Sequence, residues 1–477
     1  EGPGAAATTG KCIAILPAGA GKPTQAFTDR LVAALGELGA TLHLSARRLD
    51  TMLNRPGIAA TEDDDAAGFR LTTWLDEQES HHRFLVYETD GTISPWTRRC
   101  LRQADEILLV ADAGADVAPS EVELALLGTR DGISKARQSL VLLHADGNRL
   151  PSGTSRWFAD RNVQRNFHVR LDRIDDFGRV ARCLGDVAIG LVLGGGGARG
   201  LAHIGVVRAL REAGVPIDMV GGTSMGAVMA SLVAMDQDWE AMLETNRDAW
   251  LKRRPHKEYS LPFISLIRSR RLDSMAQKIW GDLEIEDLWL NFFCISCNLS
   301  TTATMVHDRG MLWKAIRASA SLPGVFVPVL ADGHILVDGG LVNNLPGDVM
   351  RERARGTLIV VDVGSEHEFI FKLAEFPSPW QFLRSRFLPF GTRIDVPHIV
   401  DVLMRTTDVS SSQKTRDVKK NADICLRPPI DPYGVLQFES LDEIAEVGYR
   451  YAVGKLEELR GDKALERFFG KGLGTRG

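Results

Sequence analysis

Short apolar runs alternate with helical patterns over the first two fifths of the chain. Cys12–Leu16, Thr41–Ser45, Arg83–Tyr87, Glu106–Ala111, Ser139–His144 and Phe167–Leu171 are predicted strands. Helical spacing falls between them, as at Thr24–Leu38 and Trp96–Ala104. Such alternation predicts a mostly parallel sheet covered by helices on both faces. Ile174–Gly185 reads as the last helix before a boundary. A new unit opens with a strand at Ala188–Leu193, a glycine loop at Gly194–Gly197 and a helix at Ala198–Ala213. That helix places Leu201, Ile204, Val207 and Leu210 on one face and stops at Gly214-Val-Pro216. Another strand, Ile217–Val220, runs into Gly221–Ala227 and a further helix, and alternation continues to Val363. Residues 366–397 are irregular and rich in Phe and Pro, and two helices, Val396–Lys419 and Ser440–Arg460, are expected to pack back onto the sheet. The predicted organisation is a linker over 1–10, a Rossmann-like α/β domain over 11–187, an α/β core over 188–365 and a helical extension over 366–477.

Composition narrows the partners. The chain has 477 residues, 44% hydrophobic and 25% charged, which suits a globular protein of roughly two or three domains. A formal net charge of -5 gives no global basic field for nucleic acid. No apolar run is long enough to cross a bilayer, and no secretory signal is visible. The first ten residues lack an initiator Met and read as a linker, so the expectation is a fragment with its upstream part missing. Six cysteines are too few for a disulfide scaffold and fit a reducing, cytoplasmic setting. Cys294 and Cys297 form a C-x-x-C, but inside an apolar run, Phe292–Leu299, that reads as a buried strand. Neither a metal nor a cofactor is called for.

Three glycine-flanked elements carry the candidate chemistry. Gly222-Thr-Ser224-Met-Gly226 is a G-x-S-x-G between a predicted strand and a predicted helix. Small flanking residues permit the sharp turn that lifts a nucleophilic serine out of the backbone. Gly194-Gly-Gly-Gly197-Ala-Arg199-Gly200 opens the preceding helix, where backbone amides can gather on a phosphate or an oxyanion. The same letters satisfy G-x-G-x-x-G, the dinucleotide fingerprint. That fingerprint wants an acidic residue after the second strand, and Gly222–Ser224 stands there instead. Asp338-Gly-Gly340 follows the run His334–Val337. It is either an Asp-Gly turn or a carboxylate held at a strand end to take a serine proton. His203, His307, His334, His367 and His398 are the histidines that could complete a triad, and none has a local signature.

These elements, in this order, resemble the patatin-like phospholipases. The stretches Ile285-Glu-Asp-Leu-Trp289, Phe293-Cys294, Arg317-Ala-Ser-Ala-Ser-Leu-Pro-Gly324, Asp338–Pro346 and Trp96–Asp105 are similar to the neuropathy target esterase branch, so the likeness covers nearly the whole chain. The resemblance implies a three-layer α/β/α catalytic domain after a smaller Rossmann-like one. It implies a Ser224–Asp338 dyad, an oxyanion loop of Gly195, Gly196 and Gly197, and Arg199 fixing the loop that follows. The implied activity is hydrolysis of phospholipid or lysophospholipid esters at a membrane surface. Larger family members carry upstream cyclic-nucleotide-binding domains, which this chain lacks.

Two further segments raise expectations. Pro17–Thr24 resembles a P-loop, yet Leu16 replaces the first glycine and Pro23 the magnesium-binding hydroxyl, so Lys22 sits in a degenerate site. Tyr87–Gly91 falls where a second acidic motif could lie. Residues 250–271 interleave Trp250, Tyr259, Leu261, Phe263, Ile264, Leu266 and Ile267 with seven basic residues, the composition of a lid that meets a membrane. The alternatives to a lipid esterase are a nucleotide-sensing regulator and an inactive lipid-binding scaffold.

Overall fold

The computed structural model describes residues 10–19, 24–128, 133–145, 147, 149–261, 263–364, 378, 380 and 399–460. Lys22, Pro23, His367, His398 and most of the irregular stretch 366–397 lie outside them.

The N-terminal unit is built on six strands: β1 (Lys11–Pro17), β2 (Thr41–Ser45), β3 (Phe84–Glu88), β4 (Glu106–Asp112), β5 (Arg137–His144) and β6 (Arg165–Arg170). All pair in parallel, in the order β2-β3-β1-β4-β5-β6. A parallel sheet buried on both faces needs an unbroken apolar run, and β1 supplies one. Its alternate residues divide between two cores. Cys12, Ala14 and Leu16 join the helices Ala66–His81 and Pro95–Gln103, while Ile13 and Ile15 face Gln25–Gly36 and Ile174–Leu184.

The second sheet has eight strands: β7 (Gly190–Leu193), β8 (Met219–Thr223), β9 (Asn291–Asn298), β10 (Ala303–His307), β11 (Val329–Ala331), β12 (His334–Asp338), β13 (Leu358–Val361) and β14 (Ile424–Leu426). β9, β8, β7, β13 and β14 run parallel, whereas β10 and β12 pair antiparallel with β9, and β11 with β12. The extension, in which only helices were expected as regular elements, therefore also lends the sheet an edge strand, β14. Three residues are too short a run to register as a strand beside the helix Ile399–Asn421. The other C-terminal helix, Leu441–Arg460, packs on the helix Ala202–Glu212. The two predicted helices are present, but the second rests on a helix rather than on the sheet.

The two units meet through the stretch Ile285–Trp289. Trp289 lies edge-on to His144 and His168 and under Arg170, whose guanidinium carbon is 4.4 Å from the ring centroid. Thr154 N donates to Asp287 Oδ1 (2.9 Å), and Asn166 Nδ2 to the Glu286 carbonyl (3.0 Å). Two residues further on, Asn291 Nδ2 donates to the Asn166 carbonyl (2.9 Å) at the start of β9.

Candidate active site

Sheet register decides which residues meet. β9 outruns β8: Thr223, the last residue of β8, pairs with Ile295. The next position, Ser296, pairs with Asp338, the last residue of β12. β10 occupies the other edge of β9 across both positions. So β8 and β12 approach head-on along one edge of β9, and their ends, Ser224 and Asp338, arrive side by side. Ser224 Oγ donates to Asp338 Oδ2 at 2.6 Å.

Ser224 turns the chain from β8 into the helix Met225–Ala234 with φ 55° and ψ −125°, a strained conformation for a residue with a side chain. The turn is possible because its neighbours are bare. A Cβ on Gly226 would stand 2.0 Å from the Leu193 carbonyl oxygen, and one on Gly222 2.6 Å from the same atom. Both elbow glycines are thus demanded by close approach to β7.

Asp338 is buried among apolar groups. Burial pushes its carboxyl up from an ordinary 3.8 to about 6, with the bonds from Ser224 and from Gly340 N (2.8 Å) pulling partly the other way. It remains mostly ionised at neutral pH and is a stronger proton acceptor than a solvated carboxylate.

The glycine loop borders the serine. A Cβ on Gly195 would come 3.1 Å from Ser224 Cβ, and Gly197, at φ +59°, lines the same cavity as Ser224. The amides of Gly194, Gly195 and Ala198 donate to the carbonyls of Val361, Asn344 and Val435. Those of Gly196 and Gly197 have no acceptor among the described residues. Arg199 ties the loop to the C-terminal extension, Nε donating to the Tyr433 carbonyl at 2.7 Å. His203 is fully buried with Nε2 2.9 Å from the Gly194 carbonyl oxygen, and burial lowers its pKa to about 4, so it braces the loop as a neutral ring. His307 bonds Ser296 Oγ (2.7 Å), and His334 begins β12. Among the described residues no histidine bonds Ser224.

Several supports lie in stretches that the resemblance marked without assigning them a role. Ser319 Oγ accepts Ser224 N (2.9 Å), and the Ser321 carbonyl accepts Asp338 N (2.9 Å). One Arg-Ala-Ser-Ala-Ser stretch therefore holds both partners, and Arg317 in turn bonds Ser321 Oγ, Ser269 Oγ and Asp273. Asn344 bonds Gly195 twice, its carbonyl accepting Gly195 N and its Nδ2 donating to the Gly195 carbonyl, each at 3.2 Å. Above Ser224 lies a cavity of about 60 Å³ walled by apolar side chains, including Met225, Val228, Val325 and the stacked pair Trp250–Phe438 (centroids 4.0 Å apart).

In the N-terminal unit, Gly19 N donates to Glu123 Oε2 (2.8 Å), which also accepts Ser120 N (2.7 Å), while Arg161 pairs with the same carboxylate. The buried Glu123 thus occupies a backbone amide of the P-loop-like turn. Cys294 and Cys297 are buried in β9, as the apolar run predicts. No helix among the described residues is long and apolar enough to cross a membrane.

A strained serine elbow on a mixed α/β sheet, a carboxylate partner and a glycine loop define the class, and the comparisons agree: residues 191–350 match the patatin-like phospholipase model. Residues 9–185 match the model described as the neuropathy target esterase family P-loop like domain. Patatin-like phospholipase domain-containing protein 7 of Mus musculus is 37% identical over 475 residues, covering 92% of this chain and 34% of its own length. Protein 6 of that series from Homo sapiens is 36% identical over the same shares, and the neuropathy target esterase sws of Drosophila melanogaster 34% over 96% and 34%. The chain thus spans about a third of the length of these curated relatives. It belongs to the patatin-like phospholipases, in their neuropathy target esterase branch.

Proposed function

We propose that the chain is a serine esterase that cleaves acyl esters of phospholipids or lysophospholipids through a Ser224–Asp338 dyad. The observation that carries this reading is the 2.6 Å bond from a strained serine to a buried carboxylate at the floor of an apolar cavity. Ser224 Oγ attacks the ester carbonyl while its proton passes to Asp338 Oδ2. The tetrahedral oxyanion accepts from the amides of Gly196 and Gly197, which are held in readiness by His203, Asn344 and Arg199. Collapse expels the alcohol, which takes the proton from Asp338. Water then attacks the acyl-enzyme with Asp338 again as base. The apolar cavity suits the acyl chain, and the enzyme works on the cytoplasmic side as a peripheral membrane protein. The occupied Gly19 amide speaks against a nucleotide switch in the N-terminal unit. A fluorophosphonate probe on the purified chain tests the proposal: labelling should map to Ser224 and vanish in Ser224→Ala together with ester hydrolysis. Full hydrolysis by Ser224→Ala overturns it.

A further inference from the structure

Beside the catalytic cavity, one hairpin turns its apolar side chains outward. Tyr259 and Ile267 form an antiparallel bridge, Ser260 N donates to the Leu266 carbonyl (2.8 Å), and Arg268 N to the Glu258 carbonyl (2.7 Å). The returning arm is fixed to the cavity wall: the amides of Leu266 and Ile267 donate to the carbonyls of Gly324 and Val325 (2.8 and 2.9 Å), and Val325 lines the cavity. Burial ends at that arm. On the tip, Leu261, Phe263 and Ile264 are 70%, 90% and 69% exposed, and Phe263 is the most exposed large apolar side chain among the described residues. Water-facing apolar residues normally stand singly, whereas these are grouped on one tip.

Of the seven basic residues around the hairpin, Arg254 bonds the Leu251 carbonyl and the other six divide into two sets. Lys252, Arg253 and Lys257 are ion-paired with Glu244, Asp248 and Glu439. Arg268, Arg270 and Arg271 are exposed and have no ion pair among the described residues. An apolar tip flanked by uncompensated cations is complementary to an anionic lipid surface, with acyl chains below a layer of phosphate. The catalytic cavity adds a reason for that partner. Its volume of about 60 Å³ is far below the roughly 300–1,000 Å³ of ordinary ligand pockets, so a lipid must part the wall that this hairpin extends.

The geometry points to the tip residues Leu261, Phe263 and Ile264 as the group that enters a lipid bilayer, with Arg268, Arg270 and Arg271 meeting anionic headgroups. The purpose of this docking rests on the esterase reading above; the docking itself does not. It is tested on the full chain carrying Ser224→Ala, sedimented with phosphatidylcholine vesicles and with vesicles containing phosphatidylserine. Adding Leu261→Ser, Phe263→Ser and Ile264→Ser together should weaken partitioning about a hundredfold on both compositions. Adding Arg268→Glu, Arg270→Glu and Arg271→Glu should cost about a hundredfold on the anionic vesicles only. With Ser224 restored, both variants should turn over a short soluble ester within about twofold of the parent chain. A tip variant that binds both vesicles as its parent does overturns the assignment. So does loss of soluble-ester turnover with vesicle binding intact, which makes the hairpin part of the site alone. Tip-dependent vesicle binding by a chain that hydrolyses no ester would sink the esterase reading and leave this one standing.

Discussion

Replacing Asp338 by Asn should abolish turnover and at the same time stabilise the protein. The carboxyl is 3% exposed and rises from 3.8 to about 6 because burial penalises its charge. At about 1.4 kcal/mol per pH unit, holding it ionised in the folded state costs on the order of 3 kcal/mol at neutral pH. The sign follows from linkage. A carboxyl with its folded pKa above its unfolded one contributes stability that is fully present below about 3.8 and lost as pH rises through about 6. Asn keeps the shape and removes the charge, but its amide still needs partners in the same dry place, which discounts the gain to about 1–2 kcal/mol. For a domain of this size that is a rise in Tm of about 2–8 °C at pH 7.5. At pH 4, where the native carboxyl is already neutral, the two proteins should melt together. Calorimetry at the two pH values reads the stability, and release of a chromogenic alcohol from a short soluble ester reads the activity, expected to fall about a thousandfold or more. A variant that melts lower than wild type at pH 7.5 would refute the burial argument. One that retains turnover would remove Asp338 from the chemistry.

The remaining expectations concern the same unit and its supports. On a soluble ester, kcat/KM should climb with pH to half its plateau near 6 and flatten above 7, since the base acts ionised; a flat profile from 5 to 8 excludes Asp338 as the base. Ser224→Ala combined with Asp338→Asn should be little worse than either alone, because the pair acts as one device, so additive losses in the kinetics argue for independent roles. Ser319→Ala removes the acceptor of Ser224 N and should lower kcat about tenfold to a hundredfold with KM nearly unchanged, the mark of a positioning residue; an effect confined to KM counts against it. Glu123→Gln should destabilise the N-terminal unit by about 2–4 kcal/mol in chemical denaturation without creating ATP hydrolysis, and Lys22→Ala should change neither esterase activity nor its response to ATP. ATP hydrolysis that disappears in Lys22→Ala would contradict the reading of that segment as a degenerate P-loop.

The parts of this molecule that were legible in sequence are those where chemistry forces composition. Strand runs such as Cys12–Leu16 had to be continuously apolar because both faces of a parallel sheet are covered. Gly222 and Gly226 had to be glycine because the elbow presses against the Leu193 carbonyl, so the motif announced its own geometry. β14 escaped because three residues carry no period. Ser319, Ser321 and Asn344 lie in stretches that the resemblance marked, but their roles escaped because a hydroxyl, a carbonyl or an amide that braces a neighbour is ordinary in composition and special only in place.

The Ser224–Asp338 pair shows why that limit exists. Ser224 and Asp338 are 114 positions apart, and nothing local in either turn states that they touch. Their meeting depends on β9 running three residues past the pairing with β8, so that Asn298, Cys297 and Ser296 are free to take β12 on the same edge. A slip of one residue in either pairing would turn alternate side chains to the opposite face and carry one partner away from the other. The register is guarded from both ends. Asn291 is tied to Asn166 of the N-terminal unit where β9 begins, and Ser321 holds the Asp338 amide where β12 ends. The P-loop-like unit can therefore act as the abutment against which the strand that aligns the Ser224 and Asp338 turns is set.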